Sequence, residues 1–255
     1  MRLLSSACLA AAALGIAAAR RSGPSSRSLV SIVGLSGGGG SSSSSSSSED
    51  GGEQPQFVKI AEEISFAGKY RQIKRSSYRF PRGQIVDFDI LTQNGQGSVV
   101  VVAWDTKTRT ATLIREFHPG AGRMQYGTVA GMFEKHKHDS ALECASMELE
   151  EEAHLGAPAS RWLPLLAPGV TASFEKYSDN HFHAYLVLDA FTVPNPKPLD
   201  AEEFIIIESG VSHARCMELI RTGQINLVSG YALLLAFSKL AELGLPLSPP
   251  PPPSQ

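Results

Sequence analysis

The sequence predicts an α+β domain, and three observations lead there. The apolar patterns run as several strands, one helix, more strands and then two helices, rather than as alternating strand and helix. A hairpin signature opens the foldable part of the chain. A capped acidic helix interrupts the strands near the middle. The chain has 255 residues, of which 42% are hydrophobic and 19% charged, with a net charge of −2. That balance excludes a strongly basic nucleic-acid surface. Three cysteines exclude a disulfide scaffold or a Cys-rich zinc module, so Cys144 and Cys216 are expected as small buried residues.

The first segment, 1–55, reads as a targeting leader followed by a Ser/Gly linker. Residues 1–48 contain no Asp, Glu or Lys but carry Arg2, Arg20, Arg21 and Arg27, and they end in Gly37–Gly40 and the serine run Ser41–Ser48. Such a composition cannot bury enough apolar surface to offset chain entropy. Acid-free, Ser- and Arg-bearing sequence points to an organelle transit peptide, for chloroplast or mitochondrion. A secretory signal ending at Ala17–Ala19 is the competing reading. The apolar run Leu3–Ala19 is too short and Ala-rich for a membrane span, so no membrane association is expected. At the other end, 246–255 is a proline-rich tail.

Between them, Tyr70–Phe80 and Gln84–Thr92 form the expected hairpin around Pro81-Arg82-Gly83, within an N-terminal β extension spanning 56–95. The main domain spans 96–245. Val99–Trp104 is a short apolar run and reads as a buried strand. Thr110–Phe117 returns beside it, with Thr112, Ile114 and Glu116 on one face and Leu113 and Arg115 on the other. Tyr126–Ala130 reads as one strand ended by Gly131. Ser140 to Glu143 fits a capping box for a helix over Ala141–Leu155. Trp162–Leu166, His181–Leu188 and Phe204–Glu208 read as strands, and Ser212–Thr222 and Ser229–Leu243 as closing helices.

The helix holds the chemistry. At about 100° per residue, Glu152 falls about 40° and Glu151 about 60° from Glu148, so the three share a face. Leu142, Ala145, Leu149 and Ala153 form the packed face, while Glu143 and Glu150 point to solvent. Like charges on one face destabilise a bare helix. A hard divalent cation such as Mg²⁺, with Mn²⁺ as an alternative, would relieve that repulsion through carboxylate oxygens. The spacing alone fits a solvated acidic face equally well.

The residues around the helix carry a resemblance. Ala130-Gly131-Met132-Phe133-Glu134, a polar loop, Ser140 to Ala145 and then Glu148-Leu149-x-Glu151-Glu152 resemble the Nudix box, whose core is Arg-Glu-x-x-Glu-Glu. Leu113 to Pro119, Tyr126 to Gly131, Tyr177-Ser178-Asp179-Asn180 and Asp200–Glu203 are similar to the ADP-sugar pyrophosphatase branch of the Nudix hydrolases. The ending Glu-Leu-Glu-Glu-Glu-Ala-His-Leu resembles the plant and algal members described as chloroplastic ADP-sugar diphosphatases. Met147 stands where that box has arginine, His154 where it has its terminal glycine, and the loop after Gly131 is longer than usual, leaving Asp139 nearest to the usual loop acid.

The resemblance implies a Nudix-type α/β/α sandwich with a mixed sheet and an N-terminal β-hairpin extension. It implies Mg²⁺-dependent cleavage of an ADP-sugar, ADP-glucose or ADP-ribose, to AMP and a sugar phosphate by a homodimer. Metal contacts fall to Glu148, Glu152, the Ala130 carbonyl and, between ions, Glu151. Glu151 also counts as catalytic, and the base comes from the acidic loop Asp200–Glu203, with Glu202 preferred over Glu203. Arg115, Tyr126 and Gly131 are the expected substrate contacts. A nucleotide-binding module of weak activity, or a hydrolase of another nucleoside diphosphate derivative, is the alternative.

Overall fold

The computed structural model describes residues 55–68, 71–93, 97–199 and 203–248. The leader, Cys8, Tyr70, Asp200, Glu202 and all but the first residues of the proline-rich tail lie outside the described residues.

The compact unit from Glu53 onward opens with a three-stranded antiparallel sheet. Its strands are β1 (Val58–Ala67), β2 (Gln72–Arg79) and β3 (Ile85–Thr92). The hairpin expected from the sequence is β2–β3, in unbroken register from Gln72↔Thr92 to Arg79↔Ile85. β1 adds a strand that the sequence reading left unassigned. Its pairing with β2 shifts register between Lys59 and Ala61 and between Ile64 and Phe66, while its sequence keeps a two-residue period at Val58, Ile60, Ile64 and Phe66 that only Glu62 interrupts.

The main sheet is built around β4 (Gly97–Asp105), whose side chains are buried from Gly97 to Trp104. β5 (Thr110–His118) returns as its hairpin partner, but pairs with it only from Thr110 to Thr112. The two strands then splay, and β6 (Arg123–Gly127) and β7 (Val129–Phe133) fill the gap. β6 continues along β5, while β7 continues along β4, from Val129↔Val101 to Phe133↔Gly97. The single strand expected over Tyr126–Ala130 is therefore two, and Gly131 lies inside the second. The change of partner falls at Thr128, whose N–H donates to Ser229 Oγ at 3.0 Å.

α1 (Ala141–Ala153) follows, then the short strands β8 (Leu155–Gly156), β9 (Trp162–Pro164) and β10 (Ala172–Ser173). β11 (His181–Leu188) runs parallel to β4, and β12 (Phe191–Thr192) pairs with β8. β13 (Ile205–Ser212) lies antiparallel to β5. α2 (His213–Arg221), capped by Ser212, and α3 (Leu227–Glu242), capped by Asn226, close the chain. One parallel pair among antiparallel ones makes the sheet mixed. Val99, Val101 and Ile114 pack on the α1 side with Cys144, Ala145 and Leu149. Val100, Val102 and Trp104 pack on the other side with Leu219, Leu233 and Phe237. These two cores sandwich the sheet between helix layers, as strand alternation requires. Cys144 and Cys216 are both fully buried, and burial pushes each thiol up to about 12. Among the described residues no helix is long and apolar enough to cross a membrane.

Candidate active site

α1 starts where its cap residues dictate. Ser140 Oγ accepts from the Glu143 N–H at 3.1 Å, and Glu143 reaches back to the Asp139 N–H at 2.6 Å. Ala141, Cys144, Ala145, Leu149 and Ala153 are buried, and Glu143 is exposed. Rotation around the helix then turns Glu148 and Glu151 toward a cavity of about 950 Å³. The helix stops at His154, which takes the left-handed conformation (φ 56°, ψ 32°) and donates its N–H to the Leu149 and Glu150 carbonyls.

The cavity opens where β4 and β5 splay. Glu116 and His118 come from β5, Ala130 and Gly131 from β7, Glu148 and Glu151 from α1, and Glu203 from the stretch before β13. Glu152 lies behind this wall, 5% exposed, with Oε2 accepting from the Ala130 N–H at 2.9 Å. Burial pushes the Glu152 carboxyl well above the usual carboxylate range. The Ala130 N–H pulls it the other way, and the negative charges of Glu148, Glu116 and Glu203 push it further up. Gly131 is required here by space. A Cβ at that position would overlap the Glu148 carboxylate, so glycine lets strand and helix approach. Glu151 pairs with Lys197 at 3.5 Å, and Glu150 accepts from the Lys197 N–H at 3.3 Å. Glu150 is therefore partly covered rather than fully solvated. His118 Nε2 stands 3.2 Å from Glu116 Oε1, at ion-pair distance but not aligned as a hydrogen bond.

The structure thus brings together Ala130, Gly131, Glu148, Glu151, Glu152 and Glu203. It does not bring Arg115 and Tyr126 into the cavity wall. Arg115 points to the opposite face of β5 from Glu116, where its Nε donates to Glu208 at 2.6 Å. Tyr126 lies under two guanidinium groups, Arg115 at 5.6 Å and Arg215 at 5.9 Å. Sequence reasoning placed Glu116 opposite Arg115 correctly but gave it no role. It also passed over His118, Gln93 and Asn180, all of which line the cavity.

Hard oxygen donors crowd this wall, and a buried carboxylate stands among like charges. Glu148, Glu151, Glu152, Glu116 and the Ala130 backbone therefore suit Mg²⁺ or Mn²⁺ by donor chemistry. Among the described residues no three His, Cys, Asp or Glu side chains already converge as a cage. Mg²⁺ keeps several waters and needs few protein ligands.

No family model matches the chain, and no curated protein matches it. Among solved structures, a crystal structure described as an ADP compounds hydrolase superposes with a TM-score of 0.60 at 18% identity. The match covers 76% of this chain and 98% of that one. At this identity the likeness concerns the fold alone, an α+β sandwich with a mixed sheet.

Proposed function

We propose that the chain is a metal-dependent hydrolase that cleaves the pyrophosphate bond of ADP-sugars, ADP-glucose or ADP-ribose, to AMP and a sugar phosphate. The observation that carries this reading is the gathering of Glu116, Glu148, Glu151 and Glu203 around one cavity, with buried Glu152 behind them. A pyrophosphate cannot lie against such a wall unless cations stand between. The name of the structural neighbour, an ADP compounds hydrolase, supports an ADP-linked substrate.

Bound Mg²⁺ would neutralise phosphoryl oxygens and lower the pKa of a water. The chain's own residues do the rest. Glu152, fixed by the Ala130 N–H, sets the depth of the site, and Gly131 admits Glu148 beside the strand. Lys197 holds Glu151 at the rim. Glu203 is the base that takes the proton of the attacking water, with Glu202 as the neighbouring candidate. The water oxygen bonds to one phosphorus as the bridging P–O bond breaks, and the phosphate on the far side leaves.

A homodimer belongs to the same proposal, since all of β1 is exposed and presents Val58, Ile60, Ile64 and Phe66. Delivery to an organelle rests on the leader composition, and the chloroplast is put ahead of the mitochondrion by the motif resemblance. The likeness to plant and algal ADP-sugar diphosphatases rests on the motif residues alone.

Met147 favours a second reading, a nucleotide-binding module of weak activity, because a thioether lines the cavity where the box arginine is missing. One assay separates the two. ADP-glucose is incubated with the protein, with and without Mg²⁺, and alkaline phosphatase then releases phosphate from any AMP and glucose phosphate formed. Mg²⁺-dependent phosphate release is the expected result. Nucleotide binding without release would establish the second reading. A side-by-side panel with a dinucleotide and coenzyme A would identify another diphosphate substrate.

A further inference from the structure

Two side-chain amide oxygens buried in the cavity have no hydrogen-bond partner among the described residues. Asn180 is 7% exposed, and its Oδ1 has no hydrogen-bond partner. Gln93 Oε1 is likewise buried and unpartnered, while its Nε2 faces Met132 Sδ at 3.9 Å. Both residues line the cavity that holds the glutamates. A buried polar atom without a partner costs stability, so each such atom in a native fold calls for an explanation.

Their placement is built, not incidental. β3 and the segment before β11 are stitched in parallel register. Leu91 N–H donates to the Tyr177 carbonyl at 2.8 Å, and Asp179 N–H donates to the Leu91 carbonyl at 3.1 Å. Leu91 and Ser178 form a parallel bridge. Thr92 Oγ1 donates to Asp179 Oδ2 at 2.8 Å, and Lys74 Nζ holds the same oxygen at 2.7 Å. One step further along each segment stand Gln93 and Asn180, so the parallel register puts the two acceptors at matching positions of the seam.

We propose that Gln93 and Asn180 form a paired-acceptor subsite that takes the vicinal hydroxyls of the substrate's sugar. The inference rests on the nucleotide-sugar reading of this cavity and names the part of the substrate that the seam recognises. Neutral carbonyl oxygens repel phosphate oxygens and need donors. A vicinal diol offers two O–H donors in adjacent positions. An adenine edge pairs bidentately with one amide, its amino group to the amide oxygen and its ring nitrogen to the amide N–H, and so satisfies one of the two buried oxygens, whereas a vicinal diol reaches both.

The test uses the full chain and three compounds: ADP-glucose, its inosine analogue lacking the base amino group, and an ADP-sugar whose sugar lacks the vicinal hydroxyls. Asn180→Ala and Gln93→Met are compared with the wild type for KM and kcat. Each variant should raise KM about tenfold on ADP-glucose, with kcat little changed. The same factor should appear with the inosine analogue, and none with the deoxygenated sugar; the same factor with the deoxygenated sugar would assign the acceptors to the diol of the adenosine ribose and overturn the proposal. A penalty seen with the adenine compound but not with its inosine analogue would assign the acceptors to the base and overturn the proposal. No change with any compound would mean that the acceptors serve buried water, which also overturns it. Gln93 lies on the less buried side of the seam, so Gln93→Met decides the matter if Asn180→Ala does not fold. Calorimetric titration of the same compounds keeps the two readings apart. A wild type that binds without cleaving overturns the hydrolase reading yet still resolves the diol by the pattern of affinities, whereas one that binds none of them overturns both.

Discussion

The Glu148 carboxylate occupies the space that a side chain on Gly131 would need. Strand β7 and helix α1 are in contact at that point because one of the two residues has no Cβ. Gly131→Ala should push the Glu148 carboxylate out of the cavity wall while leaving the strand pairing Val99↔Gly131 intact. Turnover should fall by roughly 10²–10³, the usual size for losing one placed electrostatic group. Steady-state kinetics beside a circular dichroism spectrum would check it, and full activity would sink the claim.

The glutamates can be sorted by the same measurement. Glu148→Gln, Glu152→Gln and Glu203→Gln should each lose about 10²–10³ in turnover, and Glu116→Gln should follow them. Glu143→Gln and Glu150→Gln should stay near wild type, because a glutamine retains the acceptor that each uses toward Asp139 and Lys197. Equal losses at Glu150 and Glu152 would refute the helix-face argument.

Ending α1 on a left-handed histidine has a cost. His154→Gly relieves a Cβ clash at φ 56° and should raise stability by about 1 kcal/mol, less what glycine loses in backbone entropy. Denaturant unfolding of the two proteins would show it. An unchanged or lower midpoint would mean that the His154 side chain makes a compensating contact.

The seam between the N-terminal sheet and the cavity should be pH-sensitive at both ends. Hydrogen bonds from Lys59 and Ser76, with the charge of Lys74, hold the Glu62 carboxyl down to about 2, against an ordinary value of 4.5. A depressed carboxylate contributes stability that is full above about 4.5 and is lost as pH falls through about 2. Lys74 is raised above 10.5, first by its hydrogen bond to Asp179, so its contribution is full below that value and is lost as pH rises through the folded one. Both groups are partly exposed, so the effects are screened. A carboxyl NMR titration should put Glu62 near 2, and Glu62→Gln should flatten the acid limb of the stability profile. A Glu62 midpoint near 4.5 would show that the contacts to Lys59 and Ser76 do not persist in solution.

Local pattern carried much of this structure. His181–Leu188 reads as a strand because its alternation is clean, and Ser140 and Glu143 announce α1 because caps are short-range chemistry. β1 was legible but missed, since Val58, Ile60, Ile64 and Phe66 alternate with only Glu62 breaking the apolar row. The break at Thr128 was hidden because it depends on Ser229, far along the chain. The alternation of β5 separated Glu116 from Arg115, but only the insertion of β6 and β7 decides which face meets the cavity. Gln93 and Asn180 were illegible for the same reason, since their meaning comes from a seam between distant segments.

The parallel pairing of β4 with β11 also governs how the chain can be assembled. From Val99 to Trp104, β4 is an uninterrupted apolar stretch, and the partner of one of its edges begins only at His181. During synthesis that edge stays open until the ribosome has passed Leu188. Non-local closure of this kind slows folding and leaves a sticky template exposed meanwhile. Substitutions that weaken β11 should therefore reduce the yield of soluble protein before they reduce the stability of the molecules that do fold.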